Sequence, residues 1–295
     1  MSGMKHLDYK YEPDGASLAA LVRGATLQTL DAMTVNLSWS NFCQCDFSSL
    51  QELIISGLIG APIGRFLDCM PSLENLKIRG PMTAAESDSP LRPSNLRHLT
   101  VSSEEDCPAG AWKSLWVPHL TSLGIRSREY SEGLVETISS CLCRSKTVLK
   151  ALSITVHFDN EVLNFIRSQP SINELTVRCY SKNVSEDALS PEEMLSCLTI
   201  SQDPEKTVLV PNLERLNLQI YYMDHSFQPL VLARDISEMV KSRAAVGDRP
   251  TSKAVLQALS LGALTENVED LFNEIRILLA PLVASGFQLL LDGGW

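Results

Sequence analysis

One pattern constrains this chain more than any other. Leu-x-x-Leu-x-(Leu/Ile/Val) begins at Leu27, Leu50, Leu73, Leu96, Leu120, Leu149, Ile172, Leu213 and Leu256, with a degenerate last position, Ala32, in the first copy. The steps between first positions are 23, 23, 23, 24, 29, 23, 41 and 43 residues. A single such triplet arises easily by chance in a leucine-rich chain. A nearly constant step does not, because it makes each segment one copy of a unit that must bury its apolar side against the next.

Proline supports the register. Pro71, Pro118, Pro170 and Pro211 each stand two residues before the first Leu or Ile of a copy, and Pro93 stands three before. Proline ends a preceding helix and favours an extended segment after it. The unit therefore reads as a helix stop followed by a short strand whose alternate residues face inward, such as Leu76 and Ile78, or Leu99 and Val101. The period lies within the roughly 20–29 residues of a leucine-rich repeat. The expected fold is an α/β leucine-rich-repeat solenoid, a right-handed horseshoe with a parallel sheet on its concave face and helices on its convex face. Residues 1–26 are expected to be a polar N-terminal segment and cap, and 27–295 one solenoid.

Helical spacing marks the segments between strands. Ile63, Leu67 and Met70 give one apolar face, Val135, Ile138 and Leu142 another, and Val162, Phe165 and Ile166 a third after a cap at Asp159 or Asn160. The two long steps hold insertions near 179–212 and 219–255. In the first, Ser190-Pro191-Glu192-Glu193 is a capping box with proline at the first helical position, so 191–199 reads as helix although it also fits the triplet. In the second, Leu232–Arg243 reads as helix with Ile236, Met239 and Val240 on one face. A last helix, Val268–Leu279, is expected to stop before Pro281, and a strand at Phe287–Leu291 to close the sheet.

Composition narrows the function. The formal net charge of −10 argues against nucleic acid and anionic membrane as partners. The longest apolar window, 53–67, is interrupted by Ser56, Pro62 and Arg65 and is too short to span a bilayer, and 1–15 lacks a signal-peptide core. An intracellular protein, cytoplasmic or nuclear, is expected. The eight cysteines include the pairs Cys43/Cys45 and Cys141/Cys143, whose C-x-C spacing is not that of a zinc knuckle; reduced, mostly buried thiols and no metal are expected. Phosphate-loop, dinucleotide, nucleophile-elbow and zinc-protease motifs are absent from the sequence. No catalytic residue and no cofactor is expected, the remaining place for an enzyme site being the two insertions.

The strand positions between the inward leucines form the useful surface of such a solenoid. They include Glu52, Ile54 and Ser56, then Asn75, Lys77 and Arg79, then His98, Thr100 and Ser102, then Ser122, Gly124 and Arg126. Glu174, Thr176 and Arg178, and Arg215, Asn217 and Gln219, follow further on. Lys77, Arg79, His98, Arg126, Arg178 and Arg215 make this strip locally basic on an acidic protein. The expectation is a protein or peptide ligand, acidic or phosphorylated, held by those six residues.

The copies MPSLENLKI, QPSINELTV and VPNLERLNL resemble the repeats of F-box proteins. The tail RDISEMVKSR, LQALSL and LAPLVASGFQLLL is similar to the C-terminal part of F-box-like proteins of mushroom-forming fungi. The resemblance covers about residues 20–295. It implies a substrate receptor whose N-terminal F-box binds the Skp-type adaptor of a cullin ubiquitin ligase while the repeats hold the substrate. Only 26 residues precede Leu27, and they contain no Leu-Pro-x-Glu helix start. The expectation is the repeat region alone, with adaptor binding dependent on an F-box encoded upstream; a stand-alone scaffold or inhibitor-like solenoid is the alternative.

Overall fold

The computed structural model describes residues 5–8, 27–42, 45–59, 61–80, 82, 93–103, 109–113, 115–127, 133–155, 159–180, 189–200, 208–221, 228–244, 255–264 and 267–293. The chain divides into two compact units, Met1–Leu149 and Lys150–Trp295.

The first unit carries β1 (His6–Asp8), β2 (Thr29–Ser38), β3 (Glu52–Ile59), β4 (Asn75–Ile78), β5 (His98–Ser103) and β6 (Ser122–Ser127). Each strand pairs in parallel with the next in sequence. Among the described residues, four helices lie between or after them: α1 (Trp39–Phe42), α2 (Ile63–Asp68), α3 (Ala109–Lys113) and α4 (Leu134–Ser145). The second unit repeats the scheme with β7 (Ala151–Thr155), β8 (Glu174–Tyr180), β9 (Arg215–Tyr221), β10 (Ala258–Leu264) and β11 (Gln288–Asp292), again parallel and in chain order. Its helices are α5 (Asn160–Arg167), α6 (Pro191–Leu198), α7 (Pro229–Ala244) and α8 (Val268–Ala284).

The register is that of the repeat. Leu30, Leu53, Leu76, Leu99 and Leu123 stand opposite one another along one row, and Ala32, Ile55, Ile78, Val101 and Ile125 along the next. All ten are buried. In the second unit Leu152, Leu175, Leu216 and Leu259 form the same row, with Leu289 at its end. The 41-residue step leaves no gap, because Leu175 pairs directly with Leu216 and the skipped triplet, Leu195-Leu198-Ile200, falls in α6 and just after it. Ser190 accepts from the Glu193 amide and Glu193 from the Ser190 amide, so the capping box forms as the sequence indicates.

The prolines do more than stop helices. The amides of Leu73, Leu120, Ile172 and Leu213 donate to the carbonyls of Met70, Val117, Gln169 and Val210, three residues earlier. Pro71, Pro118, Pro170 and Pro211 thus occupy the second position of a tight turn, where a fixed φ near −65° suits the backbone. After each turn, one carbonyl of the preceding copy receives two consecutive amides. Glu74 and Asn75 donate to Gln51, Arg97 and His98 to Glu74, and Glu214 and Arg215 to Asn173. Asn95 and Asn212 add a side-chain bond to the carbonyls of Pro71 (2.6 Å) and Pro170 (2.9 Å), one copy back.

Helices cover the inward rows. The α4 residues Leu134, Val135, Ile138, Cys141 and Leu142 are buried, as are Val162, Leu163, Phe165 and Ile166 of α5, whose first turn is capped by Asp159. Leu232, Ile236, Met239 and Val240 of α7 are buried on the face the sequence indicates.

Two expectations are corrected. The last helix does not stop before Pro281 but runs through it to Ala284. Pro281 and the residue four before it, Ile277, are both exposed, so water can take the Ile277 carbonyl that loses its partner. The described cysteines are not mostly buried. Cys141 and Cys179 are, whereas Cys69 and Cys143 are exposed and Cys45 and Cys197 half-buried. Cys143 is two residues from Cys141 on α4, which turns it to the far side of the helix. Trp112 and Trp116 part similarly, Trp112 into the core and Trp116 to the surface.

Candidate partner-binding site

In the first unit, strand alternation brings the residues between the buried rows onto one face. The register arranges them in levels. Glu52, Asn75, His98 and Ser122 share the first, and Asp31, Ile54, Lys77, Thr100 and Gly124 the second. The third holds Ser102 opposite Arg126. Arg79 follows Ile78, the partner of Val101, and so stands at the Ser102 level. Lys77, Arg79, His98 and Arg126 are therefore on one face, on three neighbouring strands.

Lys77 is half-buried; Arg79, His98 and Arg126 are exposed. A shallow depression of about 390 Å³ runs over the first two levels, lined by Glu52, Ile54, Asn75, Lys77, His98 and Thr100. Burial pushes the Lys77 ammonium below the usual lysine range, and Arg79 and Arg126 push it the same way; Asp31 opposes them. These cations sense one another across the face. Among the described residues, Asp31 acts on Lys77, and no side-chain hydrogen bond or ion pair is made by Arg79 or Arg126. Thr100 leans over Gly124, where a Cβ atom would meet Thr100 Oγ1 at 3.0 Å and Cγ2 at 3.1 Å.

The second unit treats its two strip residues differently. Arg178 Nε and Nη2 both donate to Gln219 Oε1, at 3.0 and 2.8 Å, and the guanidinium lies 5.1 Å from the centre of the Tyr221 ring. Arg215 is paired with Glu174 at 2.8 Å, both exposed. These two are held by their own neighbours. Sequence position could have revealed both pairings, because Arg178 faces Gln219, and Glu174 faces Arg215, directly across β8 and β9. Asp31, the carboxylate nearest Lys77 in effect, was hidden because its copy is the degenerate one.

The second unit also holds a cavity of about 820 Å³ lined by the end of α5 and by the two inserted segments. Arg167, Glu192, Cys197, Asp235 and Glu238 are among its lining residues. Burial raises the Asp235 carboxyl above its usual range, and Glu192 and Glu238 add to the effect. Burial likewise raises the Cys197 thiol, which is the reverse of an activated nucleophile. The histidines of this unit, His157 and His225, lie outside the described residues, as do Tyr222 and Asp224. Among the described residues, no group of three or more His, Cys, Asp or Glu side chains is arranged to hold a metal ion, and no helix is long and apolar enough to cross a membrane. No protein-family model matches the sequence, and no curated protein matches it.

Proposed function

We propose that the chain is a non-catalytic recognition protein built of leucine-rich repeats, in the manner of the substrate-binding region of an F-box subunit of a cullin-type ubiquitin ligase. The observation that carries this reading is the face of the first unit. Lys77, Arg79 and Arg126 are presented together, with the Asp31 carboxylate acting on Lys77, on a protein of net charge −10. Cations gathered on one sheet face, outnumbering the carboxylate that acts on them, can meet an acidic segment of another protein. The aligned rows and repeated turns support the repeat assignment. The F-box connection rests on the likeness of MPSLENLKI, QPSINELTV, VPNLERLNL and the tail to that family.

A stand-alone recognition solenoid is the second reading. Co-purification with a Skp-type adaptor, with the chain expressed together with any open frame upstream of Met1, separates the two: retention supports the ligase reading, and loss of the adaptor on gel filtration supports the other. For either, affinity capture with the wild type and with Arg79→Glu/Arg126→Glu tests the face. A set of bound proteins unaffected by the double substitution removes the face from the reading.

A further inference from the structure

Independently of that reading, we infer that β11 is a pairing edge for a second copy of this chain, joined antiparallel across a twofold axis at Leu290.

The end of the second unit is incomplete at its edge, in its buried row and on its face. β11 pairs with β10 on one side and with no described strand on the other. The Gln288 amide donates to the Gln257 carbonyl, so Gln288, Leu290 and Asp292 turn their backbone groups towards β10. Leu289 and Leu291 turn theirs outward, where they meet water or another strand. In the row beneath, Leu216 and Leu259 are 2% and 1% exposed, whereas Leu289 and Leu291 are only half-buried. On the open face Leu290 is 64% exposed. Helix α8, which packs on β11, adds half-buried Leu278 and Leu282, one turn apart.

Proteins blunt outer strands with lysine, proline, a bulge or shortness. β1 is blunted in this way, having three residues, with His6 and Asp8 at its ends and Lys5 before it. β11 has five residues, regular pairing with β10 and one formal charge, at its last position.

The strand's own sequence identifies the occupant. A twofold axis at Leu290 sets Leu290 opposite itself, Leu289 opposite Leu291 and Gln288 opposite Asp292 of the second copy. Leu289 and Leu291 are the residues whose N–H and C=O point outward, so each exchanges both bonds with the other across the axis. Leu290 and the Gln288–Asp292 pairs then fall in the closer positions between bonded pairs, with Cα atoms about 4.5 Å apart. There the Gln288 amide donates to the Asp292 carboxylate, which has acceptor positions for more than one donor. Moving the axis one residue either way sets Leu290 opposite Gln288 or Asp292 and loses both matches. Pairing of β11 on β1 of another copy, which would build an open chain, meets a shorter and more charged strand. A short strand pair is marginal in water by itself, so the half-buried leucines of the two copies must supply much of the affinity.

The test is sedimentation equilibrium of the full chain over a hundredfold range of concentration. The expected result is a mass that rises from one copy to two and stops there. Leu290→Lys sets two ammonium groups against each other on the axis. It should hold the chain as a monomer, while its far-UV circular dichroism and its urea midpoint in dilute solution match the wild type. Charge reads the register. Gln288→Glu should weaken the dimer at least tenfold, Gln288→Lys should tighten it, and Gln288→Glu with Asp292→Lys should restore it. A chain that stays monomeric at the highest concentration overturns the pairing, whether or not a foreign peptide binds the edge. Growth beyond two copies overturns the twofold arrangement, and a dimer unchanged by Leu290→Lys overturns its location. Equal weakening by Gln288→Glu and Gln288→Lys overturns the register.

Discussion

Arg243 Nη1 donates to the Val210 carbonyl at 3.0 Å, and Val210 is held at φ = 50°, a region a β-branched residue rarely enters. The same guanidinium donates to Leu209 O at 2.6 Å and to Leu198 O at the end of α6. One buried arginine thus bonds three carbonyls of the inserted segment, of which the Val210 carbonyl also accepts from the Leu213 amide, and the beginning of the Val210-Pro211-Asn212-Leu213 turn is fixed by it. Burial lowers its pKa to about 10, so it remains charged at neutral pH. Arg243→Met takes the guanidinium from the Leu198 and Leu209 carbonyls and leaves Val210 O with the Leu213 amide alone, and should cost about 3–5 kcal/mol. Arg243→Lys should recover only part of this, because an ammonium cannot span three acceptors laid out for a guanidinium fork. Urea denaturation monitored by far-UV circular dichroism measures both; a midpoint unchanged by Arg243→Met would show that water or a rearranged turn replaces the guanidinium.

Leu76 tests the row structure. It is 2% exposed and stands between Leu53 and Leu99. Leu76→Ala should cost about 2–5 kcal/mol through lost burial and a residual cavity. Leu290, also a strand leucine, is 64% exposed on β11, and Leu290→Ala should change stability by less than about 0.5 kcal/mol. Similar losses at the two positions would mean that the rows are not the source of stability.

The rows were legible in the sequence because a stacked unit must place the same kind of residue at the same place in every copy. Leu53, Leu76 and Leu99 are identical for that reason. The α5 cap at Asp159 and the α6 capping box were legible because their partners are three residues away. The braces between copies were not. Arg144 donates to Leu115 O at 2.8 Å and Ser145 accepts from the Val117 amide; Arg243 and Ser242 do the same for Leu198 O and the Ile200 amide. Those partners are roughly thirty to forty-five residues apart in sequence, and a carbonyl leaves no mark on it. The candidate site was legible as a list of strip residues, but not as a division of them. Which cations are occupied depends on cross-strand neighbours such as Gln219 and Glu174, one 41-residue step away.

Cysteine reactivity should divide by position. Cys179 is buried with its sulfur 3.1 Å from Met194 Sδ, and burial pushes its thiol up to about 12. Burial also raises the Cys141 thiol. The reactive species is the thiolate, so both should resist iodoacetamide at pH 8 in the native protein, while Cys69 and Cys143, which are exposed, are alkylated first. Mass-spectrometric mapping after a short pulse reads the order. Alkylation of Cys179 at the rate of Cys143 would indicate that β8 and α6 separate readily.

Asp235 gives a pH-dependent effect whose sign is fixed. Its carboxyl is raised above the usual range by burial, with Glu192 and Glu238 contributing. The folded chain therefore holds a proton on Asp235 at pH values where the unfolded chain has lost it, and stability from this group falls as pH rises from the unfolded value through the folded one. Above that window the ionised carboxylate is a net cost in the native state; below it the cost vanishes. Asp235→Asn removes the charge with little change in size. It should stabilise the protein at pH 7 by a few tenths of a kcal/mol, a small figure because the group is partly solvated, and do nothing at pH 3. Thermal unfolding of both proteins at the two pH values measures the difference. A stabilisation of the same size at pH 3 would assign the gain to packing or amide hydrogen bonding, and a loss at pH 7 would mean that the carboxylate has a cationic partner across the cavity, with Arg167 the first residue to test.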